Sequence, residues 1–162
     1  MGIVILSNGV PNSLLEKVAR VEVRERLGET TQYSIVFEED VCENDFQLLR
    51  TSALDPNAEL SVLVPVGNGM DCLVKGPVSS QQIRLQHGGA GSQLEVRGND
   101  STIKMDREFK SEVWPNVTDG EAVTRILLQN AYLTDVATTN GRHLETEHSL
   151  VQRSTDLQFI KR

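Results

Sequence analysis

Four sets of side chains in this sequence could do chemistry: three histidines, two cysteines, a glycine-rich loop and a scatter of carboxylates. His143 and His148 stand five residues apart. On a strand that spacing sends them to opposite faces, and on a helix it offsets them by more than a turn. His87 is remote and no cysteine lies near the pair, so the spacing supports no metal ligand set. The loop His87-Gly88-Gly89-Ala90-Gly91-Ser92 has neither the lysine nor the following helix that a phosphate cradle requires, and it reads as a hairpin connection. Gly67 and Gly69 flank Asn68 as a turn, because the dinucleotide fingerprint is incomplete and no helix follows. Nothing in the sequence pairs Cys42 with Cys72, which read as free thiols of a reducing compartment.

The carboxylates include Asp100, Asp106, Glu108, Glu112, Asp119, Glu121 and Asp156. A glycosidase would set two such groups across a cleft at a defined separation, which no spacing rule demonstrates. Asp119, Glu121 and Asp156 already have a role at helix N-termini, where negative charge meets the positive end of the helix dipole. No G-x-S-x-G elbow accompanies the serines. No catalytic, cofactor-binding or metal-ligating residue is therefore assigned, and no cofactor is expected. Trp114-Pro115 is a large apolar group in a polar stretch, suited to plugging the core between sheet and helix or to anchoring a partner. Asn116-Val117-Thr118 fits the glycosylation sequon but lacks a secretory signal before it.

The backbone that must position these groups changes character near residue 99. Before it, short apolar-alternating runs are separated by turn signals. Ile3–Leu6 closes on Ser7-Asn8-Gly9. Residues 18–27 read as a strand with Val21, Val23 and Leu27 on one face and Arg20, Glu22, Arg24 and Arg26 on the wet one. Tyr33, Ile35 and Phe37 alternate in a second strand, forming an antiparallel hairpin with the first. Asp45–Leu49 fits either a helical turn or an ordered loop, and Asp55-Pro56-Asn57 is a turn. Leu60–Val66 carries Val62, Val64 and Val66 on one face, Met70–Val74 returns, and Gly76-Pro77 interrupts as a bulge or corner would. Val78–Gln86 and Gln93–Arg97 complete six or seven strands, the makings of a small closed or nearly closed antiparallel barrel. Arg20–Leu27 and Leu60–Val66 could pair with another chain's sheet if left as edges.

After residue 99, helix starts appear near 118 and 154. Thr118 and Glu121 have the spacing of a capping box, and Val123, Ile126, Leu127 and Ala131 recur at helical spacing. The expected class is α+β: a β-barrel over 1–99, then the start of a smaller helix-containing domain over 100–162. No Gly, Asn or Pro ends the last helix before Arg162, so this second unit is expected to be unfinished, the natural protein being longer or the chain cut by design.

The ordered series strand, Gly98-Asn99-Asp100 turn, Ile103-Lys104-Met105-Asp106 and Trp114-Pro115-Asn116-Val117-Thr118-Asp119-Gly120-Glu121 with its helix resembles the tail-hub proteins of contractile injection machines. That family takes in phage late control protein D and the hub parts of VgrG-type spike proteins. Its second signature, a Gln before a short polar cap and a helix bearing an aromatic beside an aliphatic residue, is similar to Gln152 to Ile160, with Phe159 and Ile160 as the pair. Together with the start of the chain, the resemblance covers nearly all 162 residues.

The resemblance implies a structural hub of a phage tail or injection system, not an enzyme. The hub is a homotrimer whose subunits each carry two similar barrels, so that a threefold body joins the sixfold inner tube to the trimeric spike. Implied partners are copies of itself, the inner tube protein, and spike and baseplate proteins. The competing expectations are a tail-associated cell-wall hydrolase domain and a stand-alone ligand-binding barrel.

Charge narrows the partners further. The chain carries 16 Lys and Arg against 23 Asp and Glu, a net −7. The excess sits in residues 1–80, with six basic against twelve acidic groups. With no basic stripe, nucleic acid is not an expected partner. Ile3–Leu6 is too short for a signal or a membrane span. Synthesis in the cytoplasm and later assembly into a tail or injection particle are expected.

Overall fold

A computed structural model describes residues 2–39, 47–87 and 91–162. They divide into two compact units, Met1–Thr102 and Ile103–Arg162. The first unit holds β1 (Val4–Ser7), β2 (Val10–Pro11), β3 (Val18–Arg24), β4 (Gln32–Glu39), β5 (Glu59–Val66), β6 (Gly69–Arg84) and β7 (Ser92–Asn99). All pair antiparallel in the order β2-β1-β5-β6-β7-β4-β3.

The antiparallel, β-rich α+β class is as the sequence implies, but the barrel is not closed. Among the described residues no ladder joins β2 to β3. Closure needs two rims with free backbone donors and acceptors, and β2 is two residues long with a proline that has no N–H.

The corner signal at Gly76-Pro77 is genuine, yet the strand runs straight through it. Residues 69–77 of β6 pair with β5, residues 78–84 pair with β7, and the register shifts between Val78 and Ser80. One strand thus serves two halves of the sheet, where the spacing suggested two strands. The change of partner brings backbones into near contact. A Cβ on Gly76 would lie 2.0 Å from the Asn99 carbonyl oxygen. One on Gly98 would lie 2.3 Å from both the Pro77 carbonyl oxygen and the Tyr33 ring. The Tyr33 hydroxyl donates to the Gly76 carbonyl at 3.2 Å, and burial pushes its phenol pKa up.

Tyr33, Ile35 and Phe37 are buried on one face of β4, as their alternation predicts. They pack with Leu60, Val62, Val74, Val78, Leu94 and Val96. Two expected core positions fail. β3 stops at Arg24 and Leu27, at 106% exposure, lies in the following turn. Val66 is 51% exposed, because beyond the bulge at Val62/Leu63 the β5–β6 hairpin runs past the core.

Turn chemistry follows the residues. Asn8 and Gly9 have φ of 50° and 78° in a two-residue hairpin loop, the positive pair of a type I′ turn. Pro56 precedes Asn57 at φ 72°, and Ala58 N–H donates to the Asp55 carbonyl at 2.9 Å, a type II turn. Gln47–Arg50 forms the single helical turn α1, which settles the open reading of that segment; Asp45 and Phe46 lie outside the described residues.

The second unit contains β8 (Phe109–Trp114), β9 (Val117–Thr118), α2 (Asp119–Gln129), β10 (Arg142–His143), β11 (Leu150–Thr155) and α3 (Asp156–Ile160). β8 pairs with β11 and β9 with β10. The capping box is complete. Glu121 N–H donates to Thr118 Oγ1 at 3.2 Å, and Thr118 N–H donates to Glu121 Oε2 at 3.0 Å. That second bond holds the Glu121 carboxyl below the usual range. Ala122 and Ile126 are buried, with Val123 and Leu127 half-buried beside them.

Ala131 does not extend this face. It lies past the helix at φ 61°, exposed. Ala131 N–H bonds the Leu128 carbonyl and Tyr132 N–H the Leu127 carbonyl, each at 3.0 Å, which is a Schellman ending with alanine where glycine is usual. Relief of the left-handed conformation is worth about 1–2 kcal/mol, and the freer unfolded chain of glycine takes back about 0.4–1. Ala131→Gly should therefore stabilise the unit by about 0.5–1 kcal/mol, read as a higher urea midpoint by Trp114 emission. A lower midpoint would contradict this account of the helix end.

Candidate functional site

The first unit carries a polar groove of about 480 Å³ on the solvent face of β3, β4, β6 and β7. The two-residue repeat of β3 puts Arg20, Glu22 and Arg24 on this face, while Val21 and Val23 turn toward the core. The ladders carry the row across: Glu22 stands opposite Ser34, Ser34 opposite Arg97, and Arg97 opposite Ser80. Arg84 and Glu95 complete the charged lining, with uncharged donors and acceptors such as Gln32, Ser79 and Asn99 between them.

Two of the four arginines are engaged. Arg24 Nε donates to Glu22 Oε1 at 2.6 Å. Arg97 holds Glu95 with both ends of its fork, at 2.8 and 3.0 Å, and Ser34 Oγ donates to the same carboxylate at 2.7 Å. The Arg97 bond first, then that of Ser34, lowers the Glu95 pKa from 4.5 to about 2. Arg84 acts on Glu95 only through its charge, and Arg20 has no ion pair among the described residues.

A depressed carboxylate contributes stability that is full above its unfolded value and fades as pH falls. For Glu95 the window runs from about 4.5 down to about 2. Glu95→Gln should lose about 1 kcal/mol at pH 7, as a well-formed bidentate pair near a surface does. It should also flatten urea midpoints across that window. Parallel wild-type and variant pH curves would contradict the assignment.

In the second unit a buried polar chain links four elements. Trp114 Nε1 donates to Gln152 Oε1 at 3.2 Å, and Gln152 Nε2 donates to Asp156 Oδ1 at 2.8 Å. Lys110 Nζ and Asn130 Nδ2 donate to Asp156 Oδ2 at 2.7 and 2.9 Å. Burial pushes the Asp156 carboxyl up, but the bonds from Lys110, Gln152 and Asn130 outweigh it and hold it below the ordinary aspartate value. Thr155 caps α3 by accepting from Gln158 N–H at 3.3 Å.

The expected chemical groups disperse. His143 and His148 do not fall on opposite faces: the chain turns between them at Leu144–Glu147, and the rings meet edge-to-face at 5.4 Å. His143 Nε2 lies 2.8 Å from Asp119 Oδ1, yet among the described residues no three potential ligands converge on a metal position. Asp100 accepts from Thr31 N–H at 2.7 Å and Thr102 N–H at 2.8 Å, a turn-holding role, and Asp106 accepts from Thr155 Oγ1. Glu108 and Glu112 are exposed. Gly67 sits in a turn at φ 57°, and His87 is exposed. Gly88–Ala90 and Cys42 lie outside the described residues; Cys72 is a free, exposed thiol. Trp114 is no surface anchor: it is 7% exposed and packs with Val117, Ala122 and Ile126 in its own unit. No described helix is long and apolar enough to cross a membrane.

The arginine groove escaped the sequence reading. Its β3 half was legible as a wet face, but the partners Arg97 and Arg84 come from strands 60 or more residues away, and only register brings them alongside.

The open antiparallel sheet followed by the capped-helix unit is a fold shared with phage tail and secretion proteins. It superposes with a TM-score of 0.66 on the E. coli c3393 protein, described as a component of the type VI secretion system with structural similarity to T4 bacteriophage tail proteins gp27 and gp5. That match has 15% identity and covers 98% of this chain and 41% of that one. The 43 kDa tail protein of prophage MuSo2 from Shewanella oneidensis matches with a TM-score of 0.66 at 11% identity, over 98% of this chain and 46% of that one. A tail protein from Neisseria meningitidis MC58 gives 0.59 at 12% identity, over 98% and 43%. The chain thus spans less than half the length of these structures. By sequence, the chain belongs to the Alg8 N-terminal domain family, whose model matches residues 1–161. No curated protein matches the sequence.

Proposed function

We propose that this chain is part of a structural hub protein of a phage tail or contractile injection system, of the late control protein D or VgrG-like kind. One observation carries the reading: three tail or secretion proteins align with 98% of the chain at TM-scores of 0.59 to 0.66. In this reading the sheet unit is one of two similar sheet domains per subunit. Residues 100–162 begin the domain inserted between them. Three copies then present six near-equivalent surfaces, which lets a threefold body meet the sixfold inner tube on one side and the spike on the other. The work is binding and assembly, without turnover.

Light scattering on the full-length gene product should give the mass of a trimer. The product should also co-sediment with its cognate tube protein when the two are expressed together. A monomer that ignores the tube, or steady release of fragments from cell-wall substrate, would overturn the proposal.

A further inference from the structure

We propose that the groove on the solvent face of β3, β4, β6 and β7 is the docking site of an acidic segment of a partner protein. It concentrates four arginines around two glutamates in a chain of net charge −7, so the local sign is opposite to that of the whole molecule. Glu22 and Glu95 are matched by Arg24 and Arg97, which leaves Arg20 and Arg84 to offer undischarged guanidinium groups on the same face. A guanidinium fork is built to take a carboxylate through two parallel N–H donors.

The lining also decides what kind of anion fits. A nucleic-acid backbone carries closely spaced charge and calls for a continuous cationic track. Here two carboxylates interrupt the track. A peptide sets its carboxylates apart and brings amide groups between them. Those amides meet Ser34, Ser80 and Asn99, whose side chains both donate and accept.

The test is fluorescence anisotropy with a labelled peptide of alternating Glu and Ser, titrated with the whole chain in low salt. Saturable binding is expected. It should weaken about tenfold in Arg20→Ala/Arg84→Ala, the loss of two partly exposed ion pairs, and also with added salt. The Gln-Ser counterpart should bind at least about tenfold more weakly than the Glu-Ser peptide. Both arginines are exposed, so the variant should keep its far-UV spectrum and urea midpoint; Arg20→Gln/Arg84→Gln repeats the test with side chains that keep donors. Binding of the Gln-Ser peptide as tight as that of the Glu-Ser peptide would overturn the proposal. So would unchanged binding in both double variants, or tighter binding of a labelled oligothymidylate.

Discussion

Gly76→Ala should cost the first unit about 3 kcal/mol or more, at or above the upper end of what overpacking a well-packed interior costs. The added Cβ would sit 2.0 Å from the Asn99 carbonyl oxygen and 2.7 to 2.8 Å from Asp100 backbone atoms. These obstacles are main chain, held by the β4–β7 ladder and by the Asp100 N–H bond to the Thr31 carbonyl, so no side chain can swing aside. The methyl group would also disturb the carbonyl that receives the Tyr33 hydroxyl. Gly69→Ala is the matched control: its Cβ would meet only the Val66 carbonyl oxygen, at an ordinary 3.9 Å. Urea unfolding by far-UV circular dichroism should place Gly76→Ala far below wild type and Gly69→Ala within about 0.5 kcal/mol of it. A Gly76→Ala protein less than about 1 kcal/mol down would mean that the corner yields and that the packing account is wrong.

Asp156→Ala should unfold the second unit's core at a cost of about 3 kcal/mol, the range for removing one member of a buried ion pair. Asp156 is 3% exposed and takes three donors, so its loss takes the partner from the Lys110 ammonium and leaves Gln152 Nε2 only the long bond to the Ser154 carbonyl, at 3.4 Å. Asp156→Asn keeps a polar group for Gln152 and Asn130 but none with charge for Lys110, and should cost about half as much. The readout is built in: Trp114 is the only tryptophan, and its indole N–H ends this chain of bonds. Emission should shift red at lower urea in both variants. Because the folded carboxyl titrates below 3.8, its contribution is whole above that value and is lost as pH falls past the depressed one. The variants should therefore differ from wild type most near neutrality and least in strong acid. Identical midpoints for wild type and Asp156→Ala would show that the network contributes nothing to the fold.

What could be read in advance follows the range of the interaction. The Thr118–Glu121 box, the Ser7-Asn8-Gly9 turn and the Tyr33-Ile35-Phe37 face each rest on neighbours within a few residues, and each stands as expected. The lone apolar Leu27 misled because alternation alone does not say where a strand stops. The histidine pair misled for a similar reason: spacing was judged on a straight element, and a turn lies between the two rings. Closure of the barrel failed at β2, where Pro11 removes the donor a further strand would need. The Ser34–Arg97 pairing across the polar groove and the Lys110–Asp156 bond join residues 46 or more apart, so neither was visible before the registers were known. Gln152 is intermediate. Its place before a polar cap was marked, but not its role as the link between an indole and a carboxylate.

The two ends of the seven-stranded sheet are unequal: β3 offers seven residues, β2 only two and a proline. Open-ended polymerisation needs every added copy to leave a fresh acceptor behind it. Two copies that met through β3 would use up the longer margin of each seven-stranded sheet and leave that sheet only its β2 end. Through this sheet alone, strand addition between copies therefore has no second step beyond the pair.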